Sequence, residues 1–136
     1  MIVRWGLDSL PTLLAEAGIE RPLLVASPRW TLPIDAANRW SEVPSHRLDE
    51  AAALAGDGVI AVGGGSAIDL GKAISARAGV PLVSVPTTYS GAEWTTYYGI
   101  REPDRRAIGS GGGAEPHAIV YEPKLTLELP RERDAA

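Results

Sequence analysis

The sequence predicts an α/β fold: a doubly wound parallel sheet with helices on both faces and a small antiparallel ribbon. Three observations predict it. Short apolar, β-branched runs at residues 22–26, 59–62 and 82–85 read as strands buried on both faces. Segments with helical apolar spacing alternate with them, which implies parallel strands joined by crossovers. Fifteen glycines and eleven prolines in 136 residues suit short elements joined by tight turns.

The first strand covers residues 2–5 and Gly6 breaks it. Asp8 or Ser9 then caps a helix over 10–17, with Pro11 in its first turn, a stripe of Leu10, Leu13, Leu14 and Ala17, and Gly18 at its end. The second strand is 22–26. A weak helix over 34–39 and a short third strand over 40–43 follow, and Pro44 ends the strand. An alanine-rich helix over 47–55 stops at Gly56. The central strand, 59–62, runs into Gly63-Gly64-Gly65-Ser66 and a helix over 67–78, which Gly79 and Pro81 terminate. The next strand is 82–85. Beyond it the pattern changes: 95–100 and 105–108 read as an antiparallel ribbon, 110–113 as a flexible loop, 119–121 as a last strand and 123–127 as a short helix. Leu129-Pro130 reads as a stop before a polar tail.

The glycine loop carries the chemistry. Glycines without Cβ atoms let a phosphate approach the backbone, and the free N–H groups of the next helical turn face an anion. Ser66 stands where an N-cap belongs. Asp69 lies in the first turn, where a negative side chain suits the helix dipole. The loop is neither a GxGxxG fingerprint nor a P-loop, and a plain tight turn is the alternative. In sheets of this kind ligands bind beyond the C-terminal strand ends. Those ends carry Ser27-Pro28-Arg29, residues 63–66 and residues 86–93.

Composition excludes other classes. The net charge is −4, and no basic cluster exceeds Arg105-Arg106, so nucleic acid is not an expected partner. No run of 18 apolar residues spans a membrane, no secretory signal opens the chain, and a cytoplasmic location is expected. Without cysteine there are no disulfides, thiolate metal sites or cysteine nucleophiles. His46 and His117 lie far apart in sequence, each close to a proline, and both are expected in surface loops rather than as metal ligands. Ser90 has no histidine nearby to make it a nucleophile. Four Trp share no helical or strand period and read as core or loop anchors.

Three motifs in series carry a resemblance: Gly63-Gly64-Gly65-Ser66 with Asp69 and Lys72, then Pro86-Thr87-Thr88-Tyr89-Ser90-Gly91-Ala92-Glu93-Trp94-Thr95, then Tyr121-Glu122-Pro123-Lys124-Leu125 before Leu129-Pro130. Together they resemble the N-terminal, Rossmann-like nucleotide-binding half of the iron-containing (group III) alcohol dehydrogenase family, and within it the maleylacetate reductase branch. The resemblance implies a dehydrogenase that moves hydride between NAD(P)H and an alcohol or ketone. It makes residues 1–130 an NAD(P)-binding domain and 131–136 a polar tail, with the family's C-terminal helical domain absent. It places Gly64, Gly65 and Ser66 at the pyrophosphate. Thr87 and Thr88 fall on the adenine and ribose side, with Ser90 in the same cofactor-binding segment. Thr95, with Tyr97 beside it, falls at the nicotinamide, and Leu125 against the adenine. Asp69 either binds cofactor or holds the glycine loop.

An acid after the second strand would accept a ribose 2′-hydroxyl and repel a 2′-phosphate. Here Ser27 and Arg29 stand there instead, so NADPH is expected to be tolerated with Arg29 near the phosphate; a solvated Arg29 is the alternative. The family's metal ligands, an aspartate and three histidines for Fe or Zn, follow the Leu-Pro stop and are not expected on this chain. No catalytic residue is assigned. Two departures from the family are Glu122-Pro123 for its usual Asp-Pro and Arg105-Arg106 for its usual ribbon lysine. A stand-alone dinucleotide-binding module without catalysis is the second reading, and a dehydroquinate synthase relative the third. A surface left by a missing helical half would be apolar and would favour homo-oligomers.

Overall fold

The computed structural model describes residues 1–112, 114 and 116–127. Its strands are β1 (Ile2–Trp5), β2 (Pro22–Val25), β3 (Asn38–Trp40), β4 (Gly58–Gly63), β5 (Leu82–Pro86), β6 (Tyr98–Arg101), β7 (Ala107–Gly111) and β8 (Pro116–Tyr121). Its helices are α1 (Leu10–Glu16), α2 (Leu48–Ala52), α3 (Gly65–Ala78) and α4 (Pro123–Leu127). Six strands form one sheet in the order β1-β8-β5-β4-β2-β3, every pair parallel. Strands β6 and β7 form a separate antiparallel ribbon. The predicted doubly wound parallel sheet and ribbon are the ones found.

Burial on both faces follows from the alternation of side chains along each strand. In β4, Ile60 and Val62 join the cluster that buries Leu10, Leu13 and Leu14 of α1. Val59 and Ala61 join the opposite cluster, with Leu48 of α2 and Ile68 and Ile74 of α3. Helix α3 lies unusually close to the sheet at Gly71. A Cβ there would stand 2.6 Å from Ala61 Cβ and 3.1 Å from Leu82 Cδ1.

The strand order locates the site. Strand β2 passes the chain to β3 on one side of itself, whereas β4, on its other side, passes it to β5. The order therefore reverses between β2 and β4, and a crevice opens beyond their C-terminal ends. The loops leaving those ends are residues 26–30 and 63–66.

Several predicted elements differ in the structure. No helix forms over 34–39. Instead Ala37 N–H donates to Pro22 O at 3.0 Å, and Asn38 to Trp40 pair with Leu23 to Val25, so β3 starts two residues early and ends at Trp40. Sheet pairing and burial of Trp40 override a weak helical pattern. Helix α2 is short at both ends relative to 47–55, because Leu54 N–H to Ala51 O and Ala55 N–H to Ala52 O tighten its exit. Ser9, not Asp8, stands at the N-cap of α1, but its side chain makes no capping bond. A 3₁₀ turn (Leu7–Ser9) precedes it, and Ser9 Oγ donates to Gly6 O at 2.7 Å. A 3₁₀ turn (Ala92–Trp94) delays β6 to Tyr98, and β7 takes Ser110 and Gly111 out of the expected loop. His117 lies half-buried in β8, not in a surface loop, whereas His46 is exposed. The Leu129-Pro130 stop and the 131–136 tail lie outside the described residues. Among the described residues no helix is long and apolar enough to cross a membrane.

Candidate functional site

The glycine loop forms the floor of the crevice. Gly63 ends β4 with φ of 145°, where an L side chain is strained, and a Cβ would lie 2.8 Å from Ala67 Cβ. Gly64 is extended and is the N-cap of α3; its carbonyl accepts the first helical bond from Ile68 N–H at 3.1 Å. Ser66 is therefore inside the first turn and not the N-cap, and no side chain caps the helix. The first-turn N–H groups of α3 have no partner within the helix. Asp69 likewise falls beyond that first turn.

Three loops close around this floor. Thr87 N–H donates to Gly63 O at 2.9 Å, which ties the end of β5 to the glycine loop. Thr88 faces Gly64: a Cβ on Gly64 would stand 3.2 Å from Thr88 Cγ2. Ser90 faces Gly65, its Oγ 3.6 Å from where a Cβ would be. On the β2 side, Arg39 Nη2 donates to Ser27 O at 2.8 Å and Trp30 O at 2.6 Å, and the Arg29 guanidinium lies 4.8 Å from the Trp30 ring centroid. A cleft of about 230 Å³ results, lined by Ser27, Arg29, Trp30, the glycine loop, Thr87, Thr88 and Arg105. A neighbouring cleft of about 380 Å³ shares Gly65, Ser66 and Arg105 with it and extends along α3 past Asp69 to Gly99 and Ile100.

The structure thus brings together Ser27, Arg29, Gly64, Gly65, Ser66, Thr87, Thr88 and, at the rim, Ser90. A second group gathers elsewhere on α3. Lys72 is fully buried; its Nζ donates to Thr95 Oγ1 at 2.8 Å and Tyr97 O at 2.9 Å and lies 3.7 Å from Asp69 Oδ1. Burial pushes the Lys72 ammonium below its ordinary range, and Asp69 and Glu93 partly restore it. Asp69 Oδ2 accepts from Gly99 N–H at 3.1 Å, so Asp69 holds the ribbon and not the glycine loop. The Tyr97 side chain is exposed. Leu125 is buried in the α1-side cluster with Val120. Next to these, Glu93 is buried; its Oε2 accepts from Tyr121 OH at 2.9 Å, and burial followed by Glu93 raises the Tyr121 hydroxyl.

Sequence reasoning missed three contributors. Arg105 adopts φ of 73°, a left-handed conformation, and its Nη1 donates to Ser66 Oγ at 3.2 Å across the glycine loop. Its sequence signal was the Arg105-Arg106 pair in the ribbon. Lys72 belongs to the glycine-loop motif, and its signal is the i+3 spacing from Asp69, which puts both on one helix face. Trp30, which walls the cleft, had no readable signal. Among the described residues no three His, Cys, Asp or Glu side chains group to hold a metal ion.

A family model for iron-containing alcohol dehydrogenase matches residues 3–123. A maleylacetate reductase of Pseudomonas knackmussii is 38% identical across 94% of this chain, which spans 42% of that protein's length. The crystal structure of an iron-containing alcohol dehydrogenase from Corynebacterium glutamicum superposes with a TM-score of 0.85 at 29% identity, over 98% of this chain and 43% of its own. That of maleylacetate reductase from Rhizobium sp. strain MTP-10005 gives 0.78 at 28% identity, over 95% and 43%. The chain thus spans less than half the length of these relatives.

Proposed function

The chain belongs to the iron-containing alcohol dehydrogenase family, and we propose that it is the cofactor-binding half of an NAD(P)-dependent oxidoreductase. Its substrate class is an alcohol or ketone, and the relatives named maleylacetate reductase make a maleylacetate-like carbonyl compound the first candidate. One observation carries the reading: a helix N-terminus with no side-chain cap opens into the crevice at the strand-order reversal, flanked by Ser27, Arg29, Thr87 and Thr88.

Each group has a role that its position supports. The N–H groups at Gly65 and Ser66 bind the pyrophosphate, and Gly64 leaves it room. Arg105, over Ser66, adds positive charge to the same anion. Thr87 and Thr88 wall the adenine and ribose side, with Ser90 at the rim and Leu125 packed behind. Thr95 and Tyr97 wall the nicotinamide side, and Asp69 holds the ribbon there. Arg29 faces the place of a 2′-phosphate, so NADPH is accepted. Residues 1–130 act as one binding unit. When bound, the cofactor supplies the hydride; this half supplies orientation and electrostatics.

Among the described residues Asp69 is the only carboxylate lining the two clefts, and it is committed to Gly99 and Lys72.

A Gly64→Val variant tests the site. The backbone at Gly64 is extended, with φ of −83°, which valine accepts, but its side chain fills the cradle beside Thr88. The variant should keep the wild-type circular dichroism and lose NADH binding. Retained binding would place the dinucleotide elsewhere.

A further inference from the structure

A lysine with no solvent exposure needs a reason. Removing an ammonium from water is costly unless its donors are used, and a methionine would fill the same space without that cost. Lys72 Nζ has three N–H donors. Two are bonded to Thr95 Oγ1 and Tyr97 O, and Asp69 lies on a further side. One turn back on the same helix face, Asp69 accepts from Gly99 N–H. Both residues therefore grip one stretch of chain, residues 95–99, which links the 3₁₀ turn (Ala92–Trp94) to the ribbon. No strand of the six-stranded sheet pairs with that stretch among the described residues. The same helix begins at the glycine loop, so one rigid element carries the anion cradle at its start and the grip on residues 95–99 one to two turns later.

The geometry points to Lys72, with Asp69, as a positioning pair that sets Thr95 and the backbone of residues 95–99 relative to the glycine loop, and so fixes the nicotinamide-side wall of the site. The inference rests on the cofactor reading above. Lys72 touches neither cleft; it acts through Thr95 and Tyr97.

Two ligands isolate the effect, because NADH and ADP-ribose share the pyrophosphate and adenosine and differ by the nicotinamide. The experiment titrates the full chain and its variants Lys72→Met, Lys72→Arg and Thr95→Val with both ligands by calorimetry. The wild type should bind NADH more tightly than ADP-ribose. Lys72→Met should weaken NADH by about ten-fold or more, as expected for loss of a charge-assisted hydrogen bond, while ADP-ribose changes little. Lys72→Arg should restore part of the preference. Thr95→Val, which removes the acceptor of the Lys72 bond along with the hydroxyl's own bond to Ala92 O at 3.3 Å, should lose the preference too; a preference kept in that variant would overturn the positioning role even if Lys72→Met fails to fold. Equal weakening of both ligands, no change in either, or no wild-type preference would overturn the positioning role. Failure of the wild type to bind either ligand would overturn the cofactor reading itself.

Discussion

At the scale of single residues, Lys72 makes the sharpest statement. Burial lowers its pKa below 10.5 in the folded chain, against the partial opposition of Asp69 and Glu93. Between the folded and unfolded values the folded chain binds fewer protons, so this group's contribution to stability rises with pH across that window. The difference in urea midpoint between wild type and Lys72→Met should move in favour of the wild type as pH climbs toward 10.5. A pH-independent difference would contradict a lowering of the Lys72 pKa on folding. The chain has only two lysines, so ¹³C labelling of the lysine side chains reads the titration directly. Arg29 carries a second prediction: Arg29→Asp should shift preference from NADPH toward NADH, because a carboxylate there repels a 2′-phosphate. An unchanged preference would remove Arg29 from specificity. The glycine loop, Thr87 and Thr88 were legible because glycine and strand-end positions have a direct backbone meaning. The positive φ of Arg105 and the Lys72–Thr95 bond were not, since both depend on a ribbon folding back over α3.

At the scale of elements, the strands buried on both faces were the most legible, because continuous apolar runs such as 59–62 fit no exposed role. The weak helix over 34–39 failed because β3 gains backbone bonds from β2, a long-range partner that a local pattern does not reveal. The same distance effect hid the late start of β6. The contact between α3 and the sheet is the element that holds the site in place. Gly71→Val should lift α3 from Ala61 and Leu82 and cost about 1–3 kcal/mol by overpacking. Ile60→Ala, deep in the α1-side cluster, should cost about 2–5 kcal/mol by leaving a cavity. Denaturant titration measures both. Only Gly71→Val should also weaken NADH binding, because it moves the helix that carries the cradle.

At the scale of the whole molecule, large aromatic side chains face solvent on one side. Trp5 is 69% exposed, Tyr89 86% and Trp94 55%; they surround a cleft of about 470 Å³ with Tyr121 and the buried Glu93. Such a patch, on a chain spanning 42% of its relative's length, is expected to self-associate at high concentration. Sedimentation equilibrium should show a mass that rises with concentration, and Trp5→Ser with Tyr89→Ser should return a monomer. A wild-type monomer throughout would show that the patch is tolerated in water. The central claim, that this fold presents a working dinucleotide site, is tested most directly by calorimetric titration of the purified chain with NADH and NADPH. Micromolar binding of at least one, lost in Gly64→Val, is the predicted result. Absence of binding by either cofactor to a folded chain would contradict it and leave the glycine loop as a turn between β4 and α3.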